Sequence, residues 1–232
     1  MVQVENKTKL FIRFRFYKRG SLQYISHLDL VRTMNKIVVR AGLPLWYTEG
    51  FNPKPKMIFA APLSIGTESD CDLLDVRLSE PIDPSEAMER MNRNMTDEMQ
   101  VTEAYYPEKP FTDLAWIAYA ITLRTRFSCP ELAEAITEFL NGESITVLKK
   151  TKSGERDVDI RPGIRLCNAV YLGDEIKLAA VLSGNQSSFL NPELLIRAIR
   201  ERFAIILGDD PLNERYSIER LETYSEDLSP FR

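Results

Sequence analysis

The chain has 232 residues, of which 44% are hydrophobic, enough to bury the core of one large domain or two small ones. It has no apolar run near the roughly 18 residues that span a bilayer, and its polar N-terminus (MVQVENKTKL) is unlike a secretory signal, which predicts a cytoplasmic protein without a membrane partner. Cys71, Cys129 and Cys167 are too scattered for a disulfide framework, a zinc site or an iron–sulfur cluster, so we expect buried thiols and neither a metal nor a cofactor.

The first predicted strand has one apolar and one cationic face. Residues 10–18 (LFIRFRFYK) alternate in period two, which places Arg13, Arg15 and Tyr17 together, opposite an apolar face. Small α/β domains bind RNA through basic and aromatic faces of this kind. An ordinary solvated strand face has the same pattern, so the alternation alone leaves both interpretations open.

The order of the predicted elements indicates two α/β units. In the first half we expect strands at 10–18, 44–61, 71–79 and 99–106, with helices that begin near Ser26 and at Asp83–Pro84. After the link PEKPFTD we expect strands at 116–126, 144–150, 157–171, 175–183 and 215–224, with helices at 130–141 and 191–203. The β-α-β-β-α-β order predicts an α+β protein of two tandem ferredoxin-like units, residues 1–109 and 110–232.

His27 is the only histidine, and it lies where the first helix begins, in the pattern Tyr24-x-Ser26-His27-x-Asp29. At a helix N-terminus a histidine can serve as a general base, here with Asp29 beside it, or contact a phosphate. In the structural alternative, Ser26 caps the helix by accepting the amide of Asp29, and His27 only occupies the first turn. With no second histidine, neither a Cys-His pair nor a Ser-His-Asp triad is assured.

The segment GFNPKPK, residues 50–56, is both stiff and cationic. Pro53 and Pro55 fix φ and remove two amide donors, which makes the segment unsuited to a central strand. Its two lysines, Lys54 and Lys56, lie within residues 1–60, which carry eleven Lys and Arg against three acids. A stiff loop loses little entropy on binding, so an anionic partner is one expectation; neutralisation by the acidic residues 61–115 is the other.

Asp157, Asp159 and Arg161 alternate along a predicted strand, which brings them to one face. Paired carboxylates suit Mg²⁺ or acid–base chemistry, but the nearby Arg161 favours a surface ion-pair cluster. The sequence has no Walker A, Rossmann or G-x-S-x-G pattern, which argues against the commonest nucleotide-binding and hydrolase functions.

Several motifs within Arg13–Leu78 occur together: F-R-F, Y-I-S-H-L-D, A-G-L-P, E-G-F-N-P-K-P-K and A-P-L-x-x-G. In these motifs the chain resembles the opening of the bacterial radical-SAM-linked proteins, a family of unknown function encoded beside, or fused to, radical S-adenosylmethionine (SAM) proteins. Weaker similarity continues through D-V-D-I-R-P at 157–162. The resemblance marks these residues as the motif positions: Tyr24, Ser26, His27, Asp29, Glu49, Asn52, Lys54, Lys56, Asp159 and Arg161.

The resemblance implies an accessory role beside a radical SAM partner. Because the chain lacks the C-x-x-x-C-x-x-C triad that holds a radical SAM cluster, we do not expect it to generate the radical itself. We expect a non-catalytic protein that binds RNA, or another anionic substrate, in an RNA-modification context. The residues expected to bind are Arg13, Arg15, Tyr17, Tyr24, Ser26, Glu49, Asn52, Lys54, Lys56 and Arg161. Two alternatives stay open: an RNA-cleaving or RNA-modifying enzyme with His27 as general base, and a docking module for an acidic protein.

Overall fold

The chain folds into two units, and the described part of each contains two α-helices. A computed structural model describes residues 10–151, 154–207, 212 and 214–232. The first unit comprises the described residues up to Leu63, with Cys71–Glu108 and Arg232, and the second comprises Ser64–Asp70 with the described part of Lys109–Phe231. The mixed α+β class expected from the sequence is confirmed. Within the described ranges, no helix has the length and apolar character needed to cross a membrane.

The first unit follows the β-α-β-β-α-β order. Its elements are β1 (Phe11–Lys18), α1 (His27–Arg40), β2 (Met57–Phe59), β3 (Thr67–Arg77, in this unit from Cys71), α2 (Pro84–Asn92) and β4 (Val101–Tyr105). The strands lie in the order β4-β1-β3-β2, and the β1/β4 and β2/β3 pairs are antiparallel. The loop that precedes β2 therefore lies at one edge of this sheet.

Alternation in β1 and a helical stripe in α1 build the core of the first unit. Ile12, Phe14 and Phe16 are fully buried, as the period-two pattern predicts. The core stripe of α1 consists of Leu30, Met34, Ile37 and Val38. Burial of each such side chain contributes about 1.5–3 kcal/mol, so this contact accounts for much of the unit's stability.

The second unit repeats the order with a hairpin inserted. Its elements are β5 (Trp116–Arg124), α3 (Pro130–Leu140), β6 (Thr146–Thr151), β7 (Gly154–Asp159), β8 (Ile164–Leu172), β9 (Glu175–Ser183), α4 (Pro192–Phe203) and β10 (Arg215–Tyr224). The main strands lie in the order β10-β5-β9-β8, antiparallel at each step, while β6 and β7 pair only with each other in the described structure.

Two features of the second unit differ from the sequence prediction. Thr67–Ser69, expected in the first unit, pair in parallel with residues 218–220 of β10 and so belong to the second. The strand expected over 157–171 is interrupted by a 3-10 turn at Arg161–Gly163, because Pro162 has no amide hydrogen to continue a ladder. The expectation of buried thiols is met by Cys71 and Cys167, whereas Cys129 is half-buried.

Candidate functional site

The segment Trp46–Lys56 forms a narrow hairpin that projects from the edge of the first unit's sheet. Across it, the amide of Thr48 donates to the carbonyl of Lys54 at 2.9 Å, and the Lys54 amide donates to Thr48 Oγ1 at 3.1 Å. A third bond joins the amide of Lys56 to the carbonyl of Trp46 at 3.2 Å. The segment expected to be an extended edge is therefore a hydrogen-bonded loop, named here the Trp46–Lys56 hairpin.

The end of β3 anchors the base of this hairpin. The amide of Trp46 donates to the carbonyl of Arg77 at 3.0 Å, and the amide of Arg77 donates to the carbonyl of Lys56 at 2.9 Å. The Arg77 guanidinium also lies 3.9 Å from the centre of the Trp46 ring, within cation–π range. Two backbone bonds and one ring contact therefore fix both arms at their base.

The tip of the hairpin exposes an aromatic ring among polar side chains. Phe51 is fully solvent-exposed, and Glu49, Asn52, Lys54 and Lys56 are exposed around it. Gly50 has φ of +120°, a conformation that is strained for any residue with a Cβ. The glycine thus permits the turn that presents the Phe51 ring to solvent.

A cavity of about 490 Å³ lies between α1 and the chain that leaves the hairpin. His27, Val31 and Asn35, spaced four residues apart along α1, form one wall, and Lys54 and Phe59 contribute to the other. The sequence predicted functional roles for both His27 and Lys54. The structure places them at one cavity.

His27 occupies the first position of α1, where its exposed ring packs edge-on against Phe59, with 5.5 Å between ring centres. Ser26 is the N-cap: its Oγ accepts the Asp29 amide at 3.2 Å and donates to Asp29 Oδ2 at 2.7 Å. Asp29 also accepts from Arg32 at 2.9 Å. The expected capping role of Ser26 is confirmed, and the Asp29 carboxylate is bonded to Ser26 and Arg32.

Those hydrogen bonds hold the pKa of Asp29 below its ordinary value, with the Ser26 hydroxyl as the largest cause and Arg32 next. A carboxylate that stays ionised can orient a histidine only if it bonds to the imidazole. Since Asp29 bonds to Ser26 and Arg32, the arrangement resembles a helix cap more closely than an acid–base dyad.

Asn35, which the sequence argument passed over, has an unusual environment in the wall of this cavity. Its Nδ2 donates to the carbonyl of Val31 at 2.9 Å, which fixes the orientation of the amide. Its Oδ1 is buried and accepts no hydrogen bond from any described residue. The i, i+4, i+8 spacing of His27, Val31 and Asn35 was the available signal, since it places an amide on the same helical stripe as the histidine.

Arg13, predicted to lie on an open cationic face, is completely buried. Its Nε and Nη2 donate to Asp75 Oδ1 and Oδ2 at 2.6 and 2.8 Å. In β3 every residue from Cys71 to Val76 is buried, including Asp72 and Asp75. Arg13 therefore does not present its charge to an external anion in this structure.

The other residues of that strand face are nearer to solvent. Arg15 is half-buried and lies opposite Glu103 in the β1/β4 register. Tyr17 donates its hydroxyl to the carbonyl of Asp97 at 2.9 Å and has the Arg19 guanidinium 5.0 Å from its ring centre. Tyr24, in the turn before α1, is exposed. These contacts leave Tyr24 the most open aromatic of the predicted set.

Asp159 and Arg161, in the second unit, both bond to backbone. Asp159 Oδ1 accepts the amides of Ile145 and Arg161 at 2.9 and 3.0 Å, and these bonds lower the pKa of its carboxyl. Arg161 donates to the carbonyls of Gly142 and Ile164 at 2.8 and 2.6 Å. Asp159 and Arg161 thus each hold a loop through hydrogen bonds to backbone groups.

Comparison with known proteins identifies the family to which the chain belongs. No curated protein matches the chain at a significant level. Among solved structures, the chain is similar to one in the crystal structure of a Cbf5-Nop10-Gar1 complex, with 11% identity, 92% of this chain and 50% of that chain covered, and a TM-score of 0.49. The chain thus spans half the length of that relative.

A second similar structure is DyPB from Rhodococcus jostii RHA1, with 10% identity, 90% of this chain and 92% of that chain covered, and a TM-score of 0.19. Residues 12–192 match the model of the family described as "Uncharacterized protein conserved in bacteria (DUF2344)". The chain belongs to this bacterial family, DUF2344.

Proposed function

We propose that this protein binds single-stranded RNA through the Trp46–Lys56 hairpin, as a non-catalytic accessory to a radical SAM enzyme. The observation that carries the proposal is the fully exposed Phe51 ring at the tip of a hairpin that is fixed at its base. A ring in this position is fully accessible to a partner. Unpaired bases offer such a partner, because every base has a face on which an aromatic ring can stack.

The positive charges near the Phe51 ring favour a nucleic-acid strand over an apolar protein as the partner. Lys54 and Lys56 are exposed, and neither has an ion-pair partner among the described residues. Each ammonium group can neutralise one phosphate and release a counterion. Phe51 and these two lysines together provide the combination of stacking ring and cations that single-strand binding requires.

Binding is favoured over catalysis because His27 has no bonded carboxylate partner in the described structure. Asp29, the acid that the sequence placed beside it, bonds to Ser26 and Arg32, and the His27 ring packs on Phe59. A general base needs orientation toward a reacting proton, which this packing does not supply. His27 is better suited to contact a ligand than to move a proton.

The radical SAM partnership rests on the resemblance of the motifs in Arg13–Leu78. We also infer that each unit is ferredoxin-like, a proposal supported by the strand orders β4-β1-β3-β2 and β10-β5-β9-β8, with the β6–β7 hairpin as an insertion. Co-elution of the full chain with a radical SAM protein produced in the same cells tests the partnership. Separate elution at low salt would contradict it.

Fluorescence anisotropy with a labelled single-stranded RNA of mixed sequence tests RNA binding. We expect Lys54→Ala with Lys56→Ala to weaken binding and to reduce the slope of log affinity against log salt by about 1.4, since each lost phosphate contact accounts for about 0.7 on a single strand. Arg93→Ala is the matched control, because Arg93 is an exposed cation of the same unit that pairs with Glu89.

Two outcomes would contradict RNA binding by the hairpin: no anisotropy change at low salt, or equal affinity and salt slope for the wild type and the double lysine variant. Retention of a partner after nuclease treatment, with loss of that partner at high salt, would instead favour docking to an acidic protein.

A further inference from the structure

We propose that the cavity between α1 and the chain segment from Lys54 to Pro62 receives one nucleobase of the bound strand. This inference rests on the proposed function and deepens it by assigning a base-binding pocket that Lys54 of the hairpin helps to line. It is carried by the shape of the cavity, by the chemistry of its walls and by an unsatisfied acceptor in one of them.

The cavity has the size and walls of a site for a planar organic ligand. Its volume of about 490 Å³ lies inside the range of about 300–1,000 Å³ that is usual for small-molecule sites. Val31, Met57, Phe59 and the two prolines Pro55 and Pro62 give it largely apolar walls. Such walls suit the faces of a base, which are apolar, whereas its edge requires polar partners.

Asn35 supplies the polar partner for that edge. Its Nδ2 bonds to the carbonyl of Val31, so the free Oδ1 can act only as an acceptor. A buried acceptor with no donor is unfavourable, and such groups in native proteins call for an explanation. Every nucleobase carries an N–H donor on its edge, in cytosine the exocyclic amino group. The oxygen is buried in this structure, so a base edge reaches it only when the side chain of the half-buried Asn35 turns toward the opening of the cavity.

Lys54 connects the cavity with the hairpin. Its main chain makes two hydrogen bonds to Thr48, one with the backbone amide and one with the side-chain hydroxyl, and the residue also lines the cavity. When the base of a nucleotide contacts Asn35, we therefore expect the phosphate of that nucleotide to lie near Lys54. His27, on the other side of the opening, offers a ring N–H to the sugar or the phosphate.

Titration of the full ¹⁵N-labelled chain with cytidine 5′-monophosphate, followed by NMR, tests the cavity directly. We expect chemical-shift changes at His27, Val31, Asn35 and Phe59. Ribose 5-phosphate carries the same phosphate and sugar but no base, and we expect it to bind about tenfold or more weakly, the effect of losing one hydrogen bond and the base contacts. Equal affinities for the two ligands, or no shift at these four residues, would overturn the proposal.

Asn35→Leu separates a binding role from a structural one. The substitution removes an unsatisfied acceptor and one helical side-chain bond, so we expect little change in thermal stability but an affinity for cytidine monophosphate about tenfold lower. Asn94→Leu is the control, since Asn94 makes the same i to i−4 bond, to the carbonyl of Arg90, away from this cavity. A loss of affinity equal in both variants would contradict the assignment.

If Asn35→Leu does not fold, Val31→Trp serves instead, because it fills the cavity from the partly exposed side of α1. Loss of mononucleotide binding in that variant supports the pocket, and retention overturns it. RNA binding that depends on Lys54 and Lys56 without any mononucleotide site would overturn only the pocket. Mononucleotide binding without any binding of single-stranded RNA would overturn the RNA proposal and leave the cavity as a nucleotide site.

Discussion

Arg13 and Asp75 form a bidentate ion pair in the interior of the first unit, with N–O distances of 2.6 and 2.8 Å between residues 62 positions apart in the chain. Burial raises the pKa of Asp75, and the Arg13 guanidinium opposes that shift. The pair joins β1 to β3, so it contributes to the position of the strand whose end anchors the Trp46–Lys56 hairpin.

We expect Arg13→Met to lower the free energy of unfolding by about 3–5 kcal/mol, because it leaves the Asp75 carboxylate buried without its cation. The pKa of Asp75 then rises further. A carboxyl whose folded-state pKa lies above its unfolded value loses stability as the pH increases, so the variant should be least stable at the alkaline end. Urea unfolding at about pH 5 and about pH 8 measures this. The double variant Arg13→Met with Asp75→Leu should recover most of the loss, and a single variant without pH dependence would contradict the assignment.

We expect Ser26→Ala to lower stability by about 1 kcal/mol at neutral pH, the usual effect of losing an N-cap. The Ser26 hydroxyl is the largest cause of the lowered pKa of Asp29. A lowered carboxyl pKa contributes stability at neutral pH that is lost as the pH falls through that pKa, so the difference between variant and wild type should shrink in acid. Thermal unfolding across an acid series measures the change. Ser26→Thr retains an N-cap hydroxyl and should behave like the wild type; a constant difference at every pH would contradict this account.

We expect Phe51→Ala to weaken RNA binding by about 1–3 kcal/mol, the contribution of one stacked base, and to leave stability unchanged. Phe51 is fully exposed, so nothing in the fold depends on its ring. Anisotropy and thermal unfolding of the same preparation separate the two effects. Phe127→Ala removes an exposed ring from the second unit and is the control. Equal loss of affinity in both variants would mean that the binding is not specific to the hairpin.

We expect Arg161→Ala to act on stability rather than on binding. It removes donors to the carbonyls of Gly142 and Ile164, each bond to a charged group contributing about 1.5–3 kcal/mol. Urea unfolding should show the loss, while RNA affinity measured well below the unfolding midpoint should stay near that of the wild type. Arg156→Ala, at an exposed arginine of β7, should change stability by less than about 0.5 kcal/mol. Reduced RNA affinity of the folded Arg161→Ala variant would indicate that this arginine contacts the RNA.

We expect iodoacetamide to label Cys129 before Cys167 at mildly alkaline pH. Burial raises the pKa of the Cys167 thiol to about 12, and the thiolate is the reactive form. Cys129 is only half-buried. Peptide mass spectrometry over time measures both sites. Rapid labelling of Cys167 in the folded protein would contradict its burial, and labelling of all cysteines in urea is the control.

Local patterns in the sequence predicted most elements of both units, including the caps of α1 and α2, because capping and alternation depend on neighbouring residues. The partner of Arg13 could not be predicted in this way. The alternation of β1 indicated that Arg13 and Arg15 share a face, but it contains no information about Asp75, which lies on another strand. The same alternation in sequence is compatible with a buried ion pair and with an exposed cationic face, and only the neighbouring strand distinguishes the two.

The candidate site was only partly visible in the sequence. The stiffness and charge of the hairpin followed from its prolines and lysines, and the structure places His27 and Lys54 at one cavity. Phe51 and Asn35 were missed, because exposure of a ring and the absence of a donor depend on three-dimensional packing. Ser26 and Arg161 illustrate the reverse case, since the sequence analysis expected both to bind a ligand, while their contacts are those of structural residues.

The short segment Ser64–Asp70 has a consequence for how the protein can be divided. It lies within the span of residues that builds the first unit, yet it supplies the strand beside β10 in the second. A fragment that begins at Lys109 would leave one side of β10 without its partner, and an unpaired strand edge promotes aggregation. The two units are therefore interleaved along the chain, and a cut in the linker would not yield two complete domains.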